Sequence, residues 1–222
     1  MPDRPNLAGR LLYDFTFWSS FTFFTFGFSL RREGWGNVPR TGPVLLVSNH
    51  QSMFDPVLVG LSSRRYLSYL ARSNLFAQPG LAPLIRGLNA IPIDRNMGKD
   101  GIQAVLDAFG RGWAVLMFPE GERTHTGAVQ PLKAGVSLLI RRVTCPIVPV
   151  GIAGCFAAWS RSMRWPQPSP LLLPPGPSTI AVSVGEPLPA GRYKGRDREW
   201  IVEDLHRVLV ERHAAAERLR RK

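Results

Sequence analysis

The stretch 45-LLVSNHQSMFDP-56 sets an apolar run directly against Asn49 and His50, with Asp55 five positions after the histidine. Residues 44–48, VLLVS, are short, apolar and branched, and they are bounded by Pro43 and Asn49. That is the pattern of a buried strand. Only four histidines occur in the chain, and one stands at the mouth of this strand with a carboxylate close behind it. A histidine can act as general base near neutral pH when a carboxylate fixes its tautomer and stabilises the imidazolium. Five positions on an ideal helix do not put two side chains on one face. A loop that turns into a helix can bring them together. A plainer reading stays open beside this one: Asp55-Pro56 starts a helix, Asp55 caps it and His50 is incidental.

Outward from this strand, short apolar runs alternate with helical patterns. Strands are predicted at 64–72 (RRYLSYLAR), around 90–94, at 113–119 (WAVLMFP), at 146–154 (PIVPVGIAG) and at 179–187 (TIAVSVGEP). Residues 99–112 carry apolar side chains at 102, 105, 106 and 109, the spacing of an amphipathic helix. Residues 131–142 predict another helix, and the segment from Arg198 sets Ile201, Leu205, Val208 and Leu209 on one face. Strands separated by helices imply an α/β fold with a mostly parallel sheet flanked by helices. There are no internal repeats. The turn-rich stretch 36-GNVPRTGP-43 divides an aromatic segment, 1–35, from a single body, 36–222.

In that first segment, residues 15–30 carry no charge, and eight of the 16 are Phe or Trp. As a helix they span about 24 Å, short of the roughly 30 Å hydrocarbon core of a bilayer. An amphipathic or half-inserted interfacial helix flanked by Arg10, Arg31 and Arg32 fits best. A helix that merely packs on its own domain is the alternative. No cleavable signal sequence is apparent. The expected placement is at a membrane, on its cytoplasmic face, either monotopic or with a single span.

The formal charge of +12 favours anionic partners such as lipid surfaces or phosphorylated substrates. Nucleic acid is set aside, because the body has no basic stripe interleaved with aromatics. Two cysteines, Cys145 and Cys155, are too few for a disulfide framework and read as buried free thiols.

Sites in such sheets form at the carboxyl ends of strands. Three polar clusters fall there: 48-SNHQSMFD-55, 93-IDR-95 and 118-FPEGERT-124. The last offers a carboxylate (Glu120), a glycine permitting close backbone approach (Gly121) and a guanidinium (Arg123) suited to a bidentate phosphate contact. Arg95 offers a second guanidinium, and Lys133 either joins the cationic rim or is simply solvated. A surface ion-pair network around Glu120, Glu122 and Arg123 is the bland alternative. No phosphate-binding loop, dinucleotide fingerprint or nucleophile elbow occurs, and no grouping has a zinc spacing. What remains is a base without its own nucleophile beside phosphate-binding arginines.

At these residues the chain resembles the glycerolipid acyltransferase family, in particular its 1-acyl-glycerol-3-phosphate acyltransferases. Four family blocks occur in order between residues 49 and 152: NHQSMFD, IPIDR, FPEGERT and IVPVGI. Glu122 departs from the pattern, since the family usually has threonine there. The resemblance implies a glycerol-3-phosphate acyltransferase-like fold and transfer of a fatty acyl group to a lysophospholipid hydroxyl. The donor would be a thioester, either acyl-CoA or acyl carrier protein, with no metal and no further cofactor. It also implies His50 as base, Asp55 as its support, Arg95 and Arg123 as phosphate ligands, Glu120 and Gly121 shaping the acceptor pocket, and Asn49 and Lys133 in support. Other lyso-lipid acceptors (a lyso-ornithine lipid or a head-grouped lysophospholipid) and a non-catalytic membrane-binding module are the competing readings.

Overall fold

A computed structural model describes residues 7–79, 90–93, 99–189 and 191–222. Its strands are β1 (Arg31–Glu33), β2 (Val44–Ser48), β3 (Leu67–Arg72), β4 (Ile91–Ile93), β5 (Ala114–Met117), β6 (Ile147–Ala153) and β7 (Ala181–Val184). Its helices are α1 (Leu7–Phe28), α2 (Asp55–Ser63), α3 (Lys99–Gly110), α4 (Val136–Ile140), α5 (Cys155–Trp159) and α6 (Arg198–Leu219). The strands form one sheet in the order β1-β7-β6-β2-β5-β3-β4. Every pairing is parallel except β6 with β7, which is antiparallel.

Strand β2 lies at the centre of the sheet, and all five of its residues are buried. Alternation puts Val44 and Leu46 into one core and Leu45 and Val47 into the other. The first core is closed by α1, α2 and α5 through side chains such as Phe24, Leu58 and Ala158. The second is closed by α3, α4 and α6 through Val105, Leu139 and Leu205. Burial on both faces explains why β2 and β5 are continuously apolar. Gly151 in β6 lets α6 come close: a Cβ there would stand 2.1 Å from the main chain of Arg212.

The expected α/β sheet is present, with two reversed strands, β7 and β1, at one edge. Strand β1 has the sequence Arg-Arg-Glu, which carries no hydrophobic period. Its place is set by pairing with β7 instead. The helix expected over 131–142 is confined to Val136–Ile140, and α5 was not foreseen.

Helix α1 is apolar on two sides rather than amphipathic. Phe24 and Phe28 are buried in the first core and Phe17 and Phe21 pack against it. Leu11, Phe15, Trp18 and Phe26 form an exposed stripe. The core therefore runs across residue 35, with the end of α1 and strand β1 built into the body. Arg31 and Arg32, expected as interfacial flanks, are half-buried and used internally. Arg31 donates to the carbonyl of Leu219 at 3.2 Å. Arg32 donates to the carbonyl of Leu61 and lies 4.5 Å from the centre of the Phe21 ring. Nothing is described of the Arg10 side chain. No helix among the described residues is long and apolar enough to cross a membrane.

Candidate active site

The ends of β2 and β5 lie side by side because the two strands run parallel and in register. Asn49, just past β2, is buried. Its Nδ2 donates to the carbonyl of Ile152 at 2.9 Å and its Oδ1 accepts the Ile152 N–H at 2.8 Å. The side-chain amide thus continues the β2–β6 ladder one step beyond the strand and fixes where the chain leaves it.

His50 comes next. Its main chain is bracketed by the loop after β5. The His50 N–H donates to Glu120 Oε1 at 2.8 Å, and the N–H of Thr124 donates to the His50 carbonyl at 2.8 Å. The imidazole stacks on Phe118, with centroids 4.0 Å apart and planes 16° from parallel. Its Nδ1 lies 2.8 Å from Asp55 Oδ2. Asp55 is fully buried at the first turn of α2, whereas the His50 side chain is 19% exposed. The same Oδ2 accepts the main-chain N–H groups of Gln51 and Ser52. The plainer reading holds only in that Asp55 stands in the first turn of the helix: the residue before it, Phe54, is the cap, no described side chain caps the helix, and His50 is not incidental. Asp55 begins the helix, organises the turn before it and holds the histidine. An ionised Asp55 assigns the proton to Nδ1, so Nε2 carries the lone pair.

Gln51 and Ser52 stitch this turn to its surroundings, and sequence reasoning did not single them out. Gln51 Nε2 donates to the carbonyl of Gly127 at 2.6 Å, and its Oε1 accepts from Phe156 N–H at 3.3 Å. Ser52 Oγ donates to the carbonyl of Trp159 at 2.7 Å. Phe54 packs edge-on against Phe24 and tilted against Trp159, at 4.9 Å in each case. An aromatic cluster thereby joins α1 to the residue just before Asp55. The available signal was polarity: Gln51, Ser52 and Thr124 are buried polar residues flanking apolar strands, which requires partners for them.

Glu120 is buried and bridges two loops. Oε1 takes the His50 N–H and Oε2 takes the N–H of Gln130 at 2.9 Å. Burial pushes its carboxyl up to about 7. The two N–H donors pull it down, and the charge of Asp55 pushes it up further. Gly121 has φ +74°, and a Cβ there would meet the stem of Lys133 at 3.0 Å, so the lysine chain lies over the glycine. Lys133 itself is exposed. Arg123 is half-exposed and has no hydrogen-bond or ion-pair partner among the described residues. The alternative, an ion-pair network of Glu120, Glu122 and Arg123, does not form among the described residues. Glu122 pairs instead with Arg161 at 3.4 Å and lies 3.7 Å from His125. Arg95 lies outside the described residues. Among those residues no His, Cys, Asp or Glu side chains cluster in threes as a metal site would need.

The acyltransferase family model matches residues 29–153, more than half of the chain and every strand end described above except that of β7. The chain belongs to the acyltransferase family. This acyltransferase is 26% identical over 141 residues to the chloroplastic 1-acyl-sn-glycerol-3-phosphate acyltransferase of Brassica napus, covering 62% of this chain and 40% of that protein. It is 32% identical over 152 residues to the alpha 1-acyl-sn-glycerol-3-phosphate acyltransferase of Mus musculus, covering 64% and 51%. It thus spans about half the length of these curated relatives. The crystal structure of the 1-acyl-sn-glycerophosphate acyltransferase from Thermotoga maritima matches with a TM-score of 0.71 at 21% identity, covering 93% of this chain and 77% of that one. At that identity the likeness is one of fold. It includes the sheet and its flanking helices.

Proposed function

We propose that this acyltransferase moves a fatty acyl group from an acyl thioester, acyl-CoA or acyl carrier protein, to the free hydroxyl of 1-acyl-glycerol-3-phosphate. The products are phosphatidic acid and the free thiol. The observation that carries this reading is the 2.8 Å contact of His50 Nδ1 with the buried Asp55, which leaves Nε2 for a substrate proton. Nearby hydroxyls are committed elsewhere: Ser48 donates to the carbonyl of Asn49 and Ser52 to that of Trp159. Both cysteines are buried. The nucleophile therefore comes from the acceptor lipid.

The steps balance without any other group. Nε2 of His50 takes the acceptor's hydroxyl proton while the oxygen attacks the thioester carbonyl carbon. The tetrahedral adduct collapses, the C–S bond breaks and the imidazolium returns its proton to the leaving thiolate. Asp55 stabilises the imidazolium at Nδ1. Such assistance is worth on the order of 10²–10⁴ in rate, and positioning supplies much of the rest. A thioester is already activated, so protein groups suffice. Arg123 grips the acceptor phosphate, joined by Arg95 as the family pattern implies. Glu120 serves by holding His50's main chain, Asn49 by fixing the strand exit, and Gly121 by leaving room for Lys133 at the rim.

The enzyme works at the cytoplasmic face of a membrane as a monotopic protein in this reading. Lifting a lipid into water costs about 0.8 kcal/mol per methylene, so chemistry at the surface is favoured. The exposed stripe of α1 and the +12 charge support docking there.

A second reading keeps the chemistry but changes the acceptor to another lyso-lipid. In its favour, Glu122 adds a carboxylate beside Arg123, tied to Arg161 of the 160–164 loop. One experiment separates the two. Purified protein is incubated with a panel of lyso-acceptors and both donor types, and products are identified by mass. Phosphatidic acid from 1-acyl-glycerol-3-phosphate, lost in His50→Ala, is the expected result. No acylation of that acceptor, or undiminished transfer by His50→Ala, would overturn the proposal.

A further inference from the structure

The segment 169-SPLLLPPGPS-178 is not explained by the chemistry above. Its three leucines face out of the protein: Leu172 is 92% exposed, and Leu171 and Leu173 are also exposed. Such a run in water is unfavourable for a chain with no use for it. The turn is nevertheless held firmly. Ser169 and Leu171 donate their N–H groups to the carbonyls of Gly27 and Phe26 at 2.9 and 3.1 Å. Those carbonyls belong to the last turn of α1 and would otherwise lack partners. Ser29 Oγ donates to the Ser169 carbonyl at 2.8 Å, and Leu173 N–H closes the turn on Pro170. Prolines on both sides limit the turn's freedom.

We infer that the Leu171–Leu173 turn is a second membrane-inserting element, continuous with the exposed stripe of α1, and that its partner is an anionic lipid surface. The turn is docked on the end of α1 beside Phe26, the last member of the stripe Leu11, Phe15, Trp18 and Phe26. The charge around it is of the right sign. Arg220, at the basic end of α6, reaches the carbonyls of Gly176 and Pro177 at the base of the same segment. Exposed Arg218, Arg221 and Lys222 accompany it. Apolar side chains that enter the acyl region and cations at headgroup level are the two signals a stable peripheral anchor needs. The inference rests on the membrane-surface reading above and adds to it a fixed point. Anchored at both α1 and the turn, the body cannot roll about the helix axis, so its orientation over the bilayer is set.

The test uses the full chain with phosphatidylcholine vesicles, with and without phosphatidylglycerol. Both native cysteines are buried, so a Leu172→Cys variant takes an environment-sensitive maleimide probe selectively. On phosphatidylglycerol-containing vesicles the probe emission shifts to the blue and is quenched by acyl-chain quenchers. Leu172→Ser weakens vesicle partitioning about tenfold, with an unchanged thermal midpoint and unchanged acyl transfer to a short-chain, water-soluble acceptor. A probe that stays aqueous while the protein is vesicle-bound would show that α1 inserts alone and would overturn the inference. A blue shift that instead grows with protein concentration, without vesicles, would assign the turn to a second copy and overturn it equally. If no acyl transfer is found even in the parent protein, the functional reading fails, and the probe still decides the role of the turn.

Discussion

Glu120 holds the main chain of His50: its Oε1 accepts the histidine's N–H at 2.8 Å while Oε2 accepts the N–H of Gln130. One carboxylate thus locks the end of β5 to the end of β2, and the imidazole inherits its position from that lock. Both oxygens act as acceptors, which is the ionised form, yet burial pushes the carboxyl up to about 7. The position of the imidazole is therefore held at some expense in stability.

That conflict has a pH signature. The folded-state value lies above the ordinary carboxylate range, so the folded protein keeps a proton that the unfolded chain has already released. Stability from this group is greatest below about pH 4.5, falls as pH rises towards about 7, and is level above that. The drop is on the order of 3 kcal/mol. Urea midpoints measured across that window will fall with pH in the parent, and Glu120→Gln will remove most of the fall. The glutamine sets an NH₂ against one of the two N–H donors, so acyl transfer drops about tenfold. An unchanged pH slope in Glu120→Gln would refute the assignment.

Asp55 does two jobs with one oxygen, and two substitutions separate them. Asp55→Asn can still accept from Gln51 and Ser52 but cannot stabilise an imidazolium by charge. Its turnover falls about 10²-fold or more with a near-native urea midpoint. Asp55→Ala also strands two buried N–H groups and loses about 2–4 kcal/mol of stability. Equal urea midpoints for the two variants would show that Asp55 does not organise the turn.

The central strands were legible because two-sided burial leaves an unbroken apolar run, and the polar residues that follow then stand out. His50, Asp55, Glu120 and Arg123 could be picked out for that reason. What each one touches could not. Five residues of spacing do not reveal that Asp55 Oδ2 gathers three donors, nor that Glu120 faces a main-chain N–H rather than an arginine. Strand β1 was illegible because Arg-Arg-Glu has no hydrophobic period: it is placed by its backbone pairing with β7 and by the Ser183 hydroxyl donating to Glu33 at 2.8 Å. Between an amphipathic or half-inserted helix and one packed on its own domain, the sequence of α1 does not choose, because two apolar stripes, one buried and one exposed, blur the single period by which such helices are recognised. The 169–178 turn carried its leucines openly, but only tertiary contact shows them beside Phe26.

Gly151 tests the fold rather than the chemistry. A methyl group there would collide with the main chain of Arg212, which cannot swing aside as a side chain could. Helix α6 would have to move away from β6, where His213 Nδ1 also meets the Ile152 carbonyl at 2.8 Å. Gly151→Ala is expected to cost about 1–3 kcal/mol or more, read as a lower urea midpoint. Asn49 clasps the same Ile152, so activity should fall in step. A wild-type midpoint would mean that the close approach of α6 is not required.

Arg123 differs from Arg161 in its partners. Arg161 is engaged with Glu122, whereas Arg123 has no partner among the described residues. No described residue occupies its donors, and charge-assisted bonds from such a group to a phosphate are worth about 1.5–3 kcal/mol. Arg123→Ala should raise the KM for a phosphate-bearing acceptor roughly 10- to 100-fold, with little change in kcat or stability. Arg123→Lys should recover only part of the loss, because a point charge remains but the planar fork does not. Acyl-CoA also carries phosphates, so the donor must be tested separately. With an acyl-pantetheine thioester lacking the nucleotide, the acceptor effect should persist. If KM rises for acyl-CoA instead, and the effect vanishes with the truncated donor, Arg123 belongs to the donor site and the acceptor phosphate must be held elsewhere.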